Sequence, residues 1–348
     1  MLYYISEGEN EQKFNATSKA RQDVEKILEY EKYKKVIVPT KYKRESNIIS
    51  KIKQIRFLSS NYKIWKNTIS KFSKEDVVII QYPVLNSLIG LNKILKQCKK
   101  NGIKTILLIH DMDSLRNSKK NIILKEDYKN FKEAGKIIAH NEKMKDKIIE
   151  MGIESDKIIV LNIFDYIYDT VEFKNLEKSK NIIIAGNLSK IKSKYIGELY
   201  KLNTLKFNLY GVGYEKQEKD SNVNYKGKFT PEELINKLEG SFGLIWDGNS
   251  IETCNGISGN YLKYNNPHKT SLYLAAGIPV IVWSNSAMAK FVIDNNVGFA
   301  VNNLNEIDKI INEMSLEKYQ DMVDNSRKIS SKLKDGEYLK MALSNNLK

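Results

Sequence analysis

The sequence predicts an α/β protein of two doubly wound, parallel-sheet domains, and three observations carry that expectation. The chain has 348 residues, more than one domain usually holds and enough to bury two cores. Short β-branched runs bounded by turn residues alternate with longer stretches of helical period, the pattern of βαβ units. The alternation restarts after Phe173–Lys180, a polar and charged segment that reads as a linker.

In chain order, strands are expected at Leu2–Ile5, Lys35–Pro39, Val77–Gln81, Thr105–His110, Lys136–His140 and Lys157–Leu161, with helices at Ser18–Tyr30, Leu91–Lys100 and Met144–Met151 between them. Gly152 follows the last of these helices as a terminating glycine should. The second half supplies strands at Asn181–Ala185, Phe207–Tyr210, Gly243–Trp246 and Val280–Trp283. Thr230-Pro231-Glu232-Glu233 provides an N-cap, a proline at the first helical position and the glutamate of a capping box, so a helix starts there. Another is bounded by Pro267 in its first turn, Gly277 at its end and Pro279 beyond. The expected domains are 1–172 and 181–303, with 304–348 forming charged helices that pack back across them.

Composition narrows the classes. Hydrophobic residues at 41% and charged residues at 28% describe a folded chain rather than a disordered one. The opening MLYYISEGENEQKF has too short an apolar run for a signal peptide, and no stretch has the 18 apolar residues of a membrane span. A cytoplasmic protein is expected, with a basic surface suited to anionic headgroups at the inner face of the membrane. Cys98 and Cys254 fall in separate halves without metal-ligand spacing and read as buried thiols. The net charge of +15 is spread over lysines along the whole chain, only five arginines accompany them, and no nucleic-acid module is visible, so no nucleic-acid partner is expected.

Ligands of open parallel sheets bind outside the carboxyl ends of strands. After Asn181–Ala185 comes Gly186-Asn187-Leu188-Ser189-Lys190, where a glycine lets a ligand approach the backbone and Lys190 can reach a phosphate. Gly211-Val212-Gly213 follows the next strand. The segment Asn265-Asn266-Pro267-His268-Lys269-Thr270-Ser271-Leu272 opens a well-bounded helix and loads its first turn with donors. Free N–H groups, the positive helix end, an ammonium and two hydroxyls suit a diphosphate, and such fixed donors can stabilise a departing one without a metal. His268 could donate to phosphate or to a sugar.

At the N-terminus, Gly8 precedes a loop through Asn15-Ala16-Thr17-Ser18-Lys19 that either binds ligand or simply caps the first helix. His110, Asp111 and Asp113 close another strand. They are candidates for acceptor binding or for the general base, the alternative being carboxylates that cap the next helix. His140 ends a further strand, as ligand group or polar cap. Three histidines in three separate loops do not form a metal site, and the Asp111-Met112-Asp113 triplet is not read as one.

These motifs resemble a family of bacterial sugar transferases that includes β-1,6-galactofuranosyltransferases of surface polysaccharide assembly and the glucosyltransferases acting second in streptococcal adhesin O-glycosylation. The resemblance spans nearly the whole chain and is most specific at Phe242-Gly243-Leu244-Ile245-Trp246-Asp247-Gly248, at Cys254, and from Gly259 through Leu274. Weaker matches are Ile109-His110-Asp111 with Leu115-Arg116, Ala139-His140-Asn141, Asn162 through Tyr166, and Ala185 through Leu188. It implies a GT-B fold, two Rossmann-like domains with the active site in the cleft between them, the first binding acceptor and the second nucleotide-sugar.

The resemblance further implies a UDP-sugar donor with no cofactor, and nucleotide contacts from Thr17, Gly186, Asn187, Lys190, Tyr210, Pro267, His268, Lys269, Thr270, Ser271 and Leu272. The paired glutamates of retaining GT-B enzymes are replaced by Tyr264 and Leu272, which favours an inverting displacement. Galactofuranose is the favoured sugar and glucose the alternative, moved to a glycan on lipid or protein by an enzyme that can form a homo-oligomer. A non-catalytic nucleotide-binding subunit would not need Asp111 and Asp113, and an RNA-binding protein would show salt-sensitive polyanion binding.

Overall fold

The computed structural model describes residues 1–7, 16–38, 60–84, 90–116 and 121–344, with 16–18 and 121–123 described by backbone alone. Gly8 and Asn15 of the proposed first loop, and Pro39 at an expected strand end, lie outside the described residues. The chain forms two compact units: Met1–Glu11 and Arg21–Leu161 with the last five residues, and Gln12–Ala20 with Asn162–Leu343.

The first unit contains β1 (Leu2–Ser6), α1 (Ala16–Tyr30, its first turn belonging to the second unit), β2 (Lys34–Ile37), α2 (60–69), β3 (Val77–Tyr82), α3 (Leu91–Lys100), β4 (Lys104–Ile109), α4 (Asp113–Arg116), α5 (Asn121–Glu133), β5 (Lys136–Ala139), α6 (Glu142–Glu150) and β6 (Ile158–Val160). Its six strands pair in parallel in the order β2-β1-β3-β4-β5-β6. Every side chain of β3 is buried, which is why that strand reads as a continuous apolar run: helices cover both faces of a parallel sheet.

The second unit contains β7 (Asn181–Asn187), β8 (Lys206–Val212), β9 (Val223–Gly227), α7 (Pro231–Lys237), β10 (Phe242–Ile245), α8 (Gly256–Tyr261), α9 (His268–Ala275), β11 (Val280–Trp283), α10 (Met288–Asp294), β12 (Gly298–Val301), α11 (Glu306–Glu313), α12 (Leu316–Lys334) and α13 (Glu337–Ser344). Its sheet is also parallel, in the order β12-β11-β10-β7-β8-β9. Two strands, at the two edges of this sheet, went unread in the sequence. β9 carries mostly polar, half-exposed residues, and β12 is a four-residue Gly-Phe-Ala-Val without alternation.

Local signals held where the chain supplies both partners. Thr230 and Glu233 form the reciprocal capping box of α7. Gly152 and Gly277 follow their helices at φ of 91° and 70°. Pro267, expected inside the first turn, instead stands at the N-cap of α9 with extended backbone. Phe173–Lys180 has no helix or strand but is fastened to the second unit: Lys178 Nζ donates to the carbonyls of Ile311 and Met314 at 3.1 and 2.7 Å, and Lys174 Nζ to that of Leu238 at 2.7 Å.

Candidate active site

A doubly wound sheet opens a crevice where strand order reverses, because helices leave the two central strands on opposite faces. In the second unit that point lies between β7 and β10. Gly186 ends β7, and Trp246-Asp247 follows β10. Lys269, in the first turn of α9, reaches this point: its Nζ donates to the Trp246 carbonyl and to Asp247 Oδ1, both at 3.0 Å. Side-chain exposures of 16% and 11% make the Lys269–Asp247 pair largely desolvated. An ammonium has three N–H donors; two are used here.

Two contacts fix α9, one against β10 and one against β7. Tyr273 accommodates its ring over Gly243, where an added Cβ would lie 2.2 Å from a ring carbon, and its hydroxyl accepts from the Ala185 amide at 2.7 Å. Asparagine, serine and histidine side chains then bind the strand-less segment 162–166 along the same helix. Asn266 Nδ2 donates to the Asn162 carbonyl at 2.9 Å, Ser271 Oγ to that of Phe164 at 2.6 Å, and His268 to that of Asp165. The Asp165 carboxylate accepts the Tyr338 and Leu339 amides, capping α13.

The expected nucleotide residues therefore fall into distinct positions. Gly186, Lys269 and the start of α9 converge on the crevice. Lys190 is exposed and paired with Glu215 at 2.7 Å. The Asn187 side chain accepts from the Ser189 amide at 3.0 Å, folding the loop back on itself. Tyr210 is 1% exposed, and its hydroxyl donates to the Lys237 carbonyl and accepts the Glu239 amide, so that side chain supports α7. Ser271, expected as a phosphate donor, spends its hydroxyl on Phe164, while Leu272 is core and Thr270 Oγ1 is buried without a partner. Thr17 is known only as backbone of α1.

In the first unit strand order reverses between β1 and β3. A cation sits there too: Arg21 on α1 pairs with Glu7 at 3.2 Å, just after β1, and donates to the Pro83 carbonyl, just after β3. Next to β3, His110 Nε2 lies 2.7 Å from Gln81 Oε1. Arg116 bridges the two aspartates, 2.5 Å from Asp111 and 3.7 Å from Asp113. His140 is not at the surface of this cluster; buried, it donates to the Ile109 carbonyl at 3.0 Å and ties β5 to β4. Among the described residues, no group of three or more His, Cys, Asp and Glu is arranged to hold a metal ion, and no helix is long and apolar enough to cross a membrane. Both cysteines are buried.

Sequence reasoning missed Arg21 and Asp247. The only available signal for Arg21 was rarity, one of five arginines in a lysine-rich chain. Asp247 stood inside the most specific motif, but its partner lies 22 residues away.

Burial lowers the pKa of His140 to about 4 and, with help from the Lys19 charge, that of His268 to about 3. Both rings are neutral in the fold, whereas in the unfolded chain they take a proton near 6.5. Protons then favour the unfolded state below that pH, so stability falls as pH drops from about 6.5 toward the folded values. The expected loss is about 1–2 kcal/mol per ring at pH 5 relative to pH 7. Urea unfolding at the two pH values checks this, and His268→Gln should remove roughly half of the two-ring drop; an unchanged drop in that variant would contradict the assignment.

Two parallel six-stranded units of this topology are those of the GT-B fold, and the sequence relatives make the chain a glycosyltransferase. Sequence comparison names the branch. Models of the glucosyltransferase 3-like N-terminal and C-terminal domains match residues 2–163 and 182–346, and the chain belongs to this family. It is 33% identical over 347 residues to the β-1,6-galactofuranosyltransferase WbbI of Escherichia coli (strain K12), covering 98% of this chain and 97% of the relative. Glucosyltransferase 3 of Streptococcus gordonii is 30% identical over 269 residues, 77% of this chain and 78% of that one. Two solved structures share the fold over 99% of both chains: the lipopolysaccharide outer core galactosyltransferase WaaB (TM-score 0.59, 11% identity) and Anabaena Alr3699/HepE in complex with UDP and glucose (TM-score 0.58, 12% identity).

Proposed function

We propose that this glycosyltransferase moves a hexose, galactofuranose in preference to glucose, from a UDP-sugar to a glycan acceptor on lipid or protein. The observation that carries the donor reading is Lys269, held at the reversal point by two of its three N–H donors with the third left for a diphosphate oxygen. Backbone N–H groups in the first turn of α9, with the positive end of its dipole, complement the same charge. Gly186 admits the nucleotide to the backbone, and Lys190 joins by exchanging Glu215 for phosphate. The β-1,6-galactofuranosyltransferase relative supports the furanose. Glucose is favoured instead by the streptococcal relative and is the second reading.

The reaction is an inverting displacement. An acceptor hydroxyl oxygen attacks the anomeric carbon, the bond from that carbon to the diphosphate oxygen breaks, and UDP leaves with the electron pair. The hydroxyl proton passes to a base drawn from Asp111, Asp113 and His110. No metal ion or other cofactor is needed in this scheme, because Lys269 and the helix end stabilise the leaving charge. Arg116 already places a positive charge between the two aspartates.

Purified protein incubated with UDP-galactofuranose, UDP-galactopyranose or UDP-glucose, with and without a chelator, tests this. Slow hydrolysis should be selective for UDP-galactofuranose and survive chelation. Preference for UDP-glucose would establish the second reading, loss on chelation would remove the metal-free scheme, and no affinity for any uridine nucleotide would overturn the donor assignment.

A further inference from the structure

His268 begins α9 between the rings of Tyr166 and Phe164, at centroid distances of 5.2 and 6.2 Å. One ring nitrogen is committed: it donates to the Asp165 backbone carbonyl. The other, Nε2, is buried and has no hydrogen-bond partner. A neutral imidazole that donates through Nδ1 carries a lone pair on Nε2, which can only accept. A buried acceptor left unsatisfied is costly, and such groups in a binding site are often completed by ligand.

The neighbourhood fixes this polarity. Lys19, 2% exposed, lies over the Tyr166 ring at 4.5 Å from its centroid and donates to the Ile167 carbonyl at 2.5 Å. Its ammonium opposes a second positive charge on the adjacent imidazole. The Asp165 carboxylate, which could have favoured an imidazolium, is occupied by the Tyr338 and Leu339 amides. Tyr166 directs its hydroxyl to the Pro231 carbonyl at 3.1 Å.

We infer that His268 selects for a sugar hydroxyl, its Nε2 lone pair accepting the hydroxyl proton of the hexose or of the acceptor glycan and making no hydrogen bond to phosphate. The inference rests on the donor reading above and refines it. Phosphate oxygens at neutral pH offer only lone pairs, which an acceptor nitrogen repels; a hydroxyl offers the proton that Nε2 lacks. Of the two sequence expectations for His268, donation to phosphate or to a sugar, the sugar is kept and the sense of the hydrogen bond is reversed. His268 is a specificity-determining residue beside the diphosphate cation Lys269, not a second anion ligand.

The test uses the full chain with ¹⁵N-labelled histidine, together with His268→Asn and His268→Gln. Asparagine keeps a donor near the Nδ1 position without an acceptor at Nε2, and glutamine carries an amide oxygen to about the Nε2 position. Imidazole ¹⁵N shifts of the wild type should report a neutral Nδ1–H form from pH 8 to pH 5. Calorimetric affinity for UDP should stay within about twofold in both variants. Turnover, as kcat/KM, should fall about tenfold in His268→Asn and recover to within about threefold in His268→Gln.

A loss already visible in donor hydrolysis places the hydroxyl on the donor hexose; a loss confined to transfer places it on the acceptor. Nε2 protonation, a tenfold loss of UDP affinity in both variants, or wild-type turnover in His268→Asn would each overturn the inference while leaving the donor reading intact. A wild-type protein that binds no uridine nucleotide would overturn both.

Discussion

Replacing Lys269 with alanine should weaken UDP binding by about 100-fold or more. A charge-assisted hydrogen bond to a phosphate accounts for about 1.5–3 kcal/mol, roughly 10- to 150-fold. The substitution does further harm, because it strands Asp247. That carboxylate is 11% exposed and would face the incoming diphosphate with its charge uncompensated. Lys269→Ala combined with Asp247→Asn should therefore bind UDP better than Lys269→Ala alone, a sign that simple loss of one contact does not produce. Titration calorimetry with UDP measures all three proteins. An unchanged affinity in Lys269→Ala would remove the diphosphate from the head of α9.

A second large effect is expected at Gly211, one position that tolerates no side chain. It sits at φ of 140°, in register with Gly186 on β7, and a Cβ built there would lie 1.8 Å from the Gly186 carbonyl oxygen. Neither atom belongs to a flexible side chain, so Gly211→Ala must part the ends of β7 and β8. The expected cost is about 3 kcal/mol or more, a fall in melting temperature of roughly 6–12 °C for a unit of this size. Gly186→Ala is the control. Its Cβ would meet nothing within 4 Å, and only the φ of 123° penalises it, at about 1–3 kcal/mol. A Gly211→Ala protein melting within about 2 °C of wild type would show that the ladder yields where its backbone says it cannot.

The two glycines mark how far a linear reading reaches. Both were visible as strand-end glycines, and Gly186 was singled out for backbone approach. That one opens to space while the other is pressed against a neighbouring carbonyl depends on the β7–β8 register, which no local pattern encodes. The head of α9 divides in the same way. Its bounds could be read from Pro267, Gly277 and Pro279, because turns and caps are settled by residues a few positions apart. The uses of its side chains could not. Ser271 serves Phe164, His268 serves Asp165, and Lys269 serves Asp247, all partners more than 20 residues distant in the chain.

Lys190 and Tyr210 carry the same lesson in opposite directions. Each stands at or just past the carboxyl end of a strand, where the strand-end rule looks for a site. Yet Lys190, in the loop after β7, is exposed with Glu215, while Tyr210 on β8 is sealed under α7; side-chain direction alternates along a strand, and the sequence does not say which face of β8 is covered.

By itself the sequence determined most element types, the two parallel units and the loops that follow their strands, because hydrophobic period and turn chemistry act over short stretches of chain. The tertiary structure alone decided where strand order reverses, which cation stands at each reversal, Arg21 or Lys269, and which ring nitrogen of His268 is left without a partner. Those follow from strand order and from contacts between distant segments, whose energies exist only once the sheets have formed.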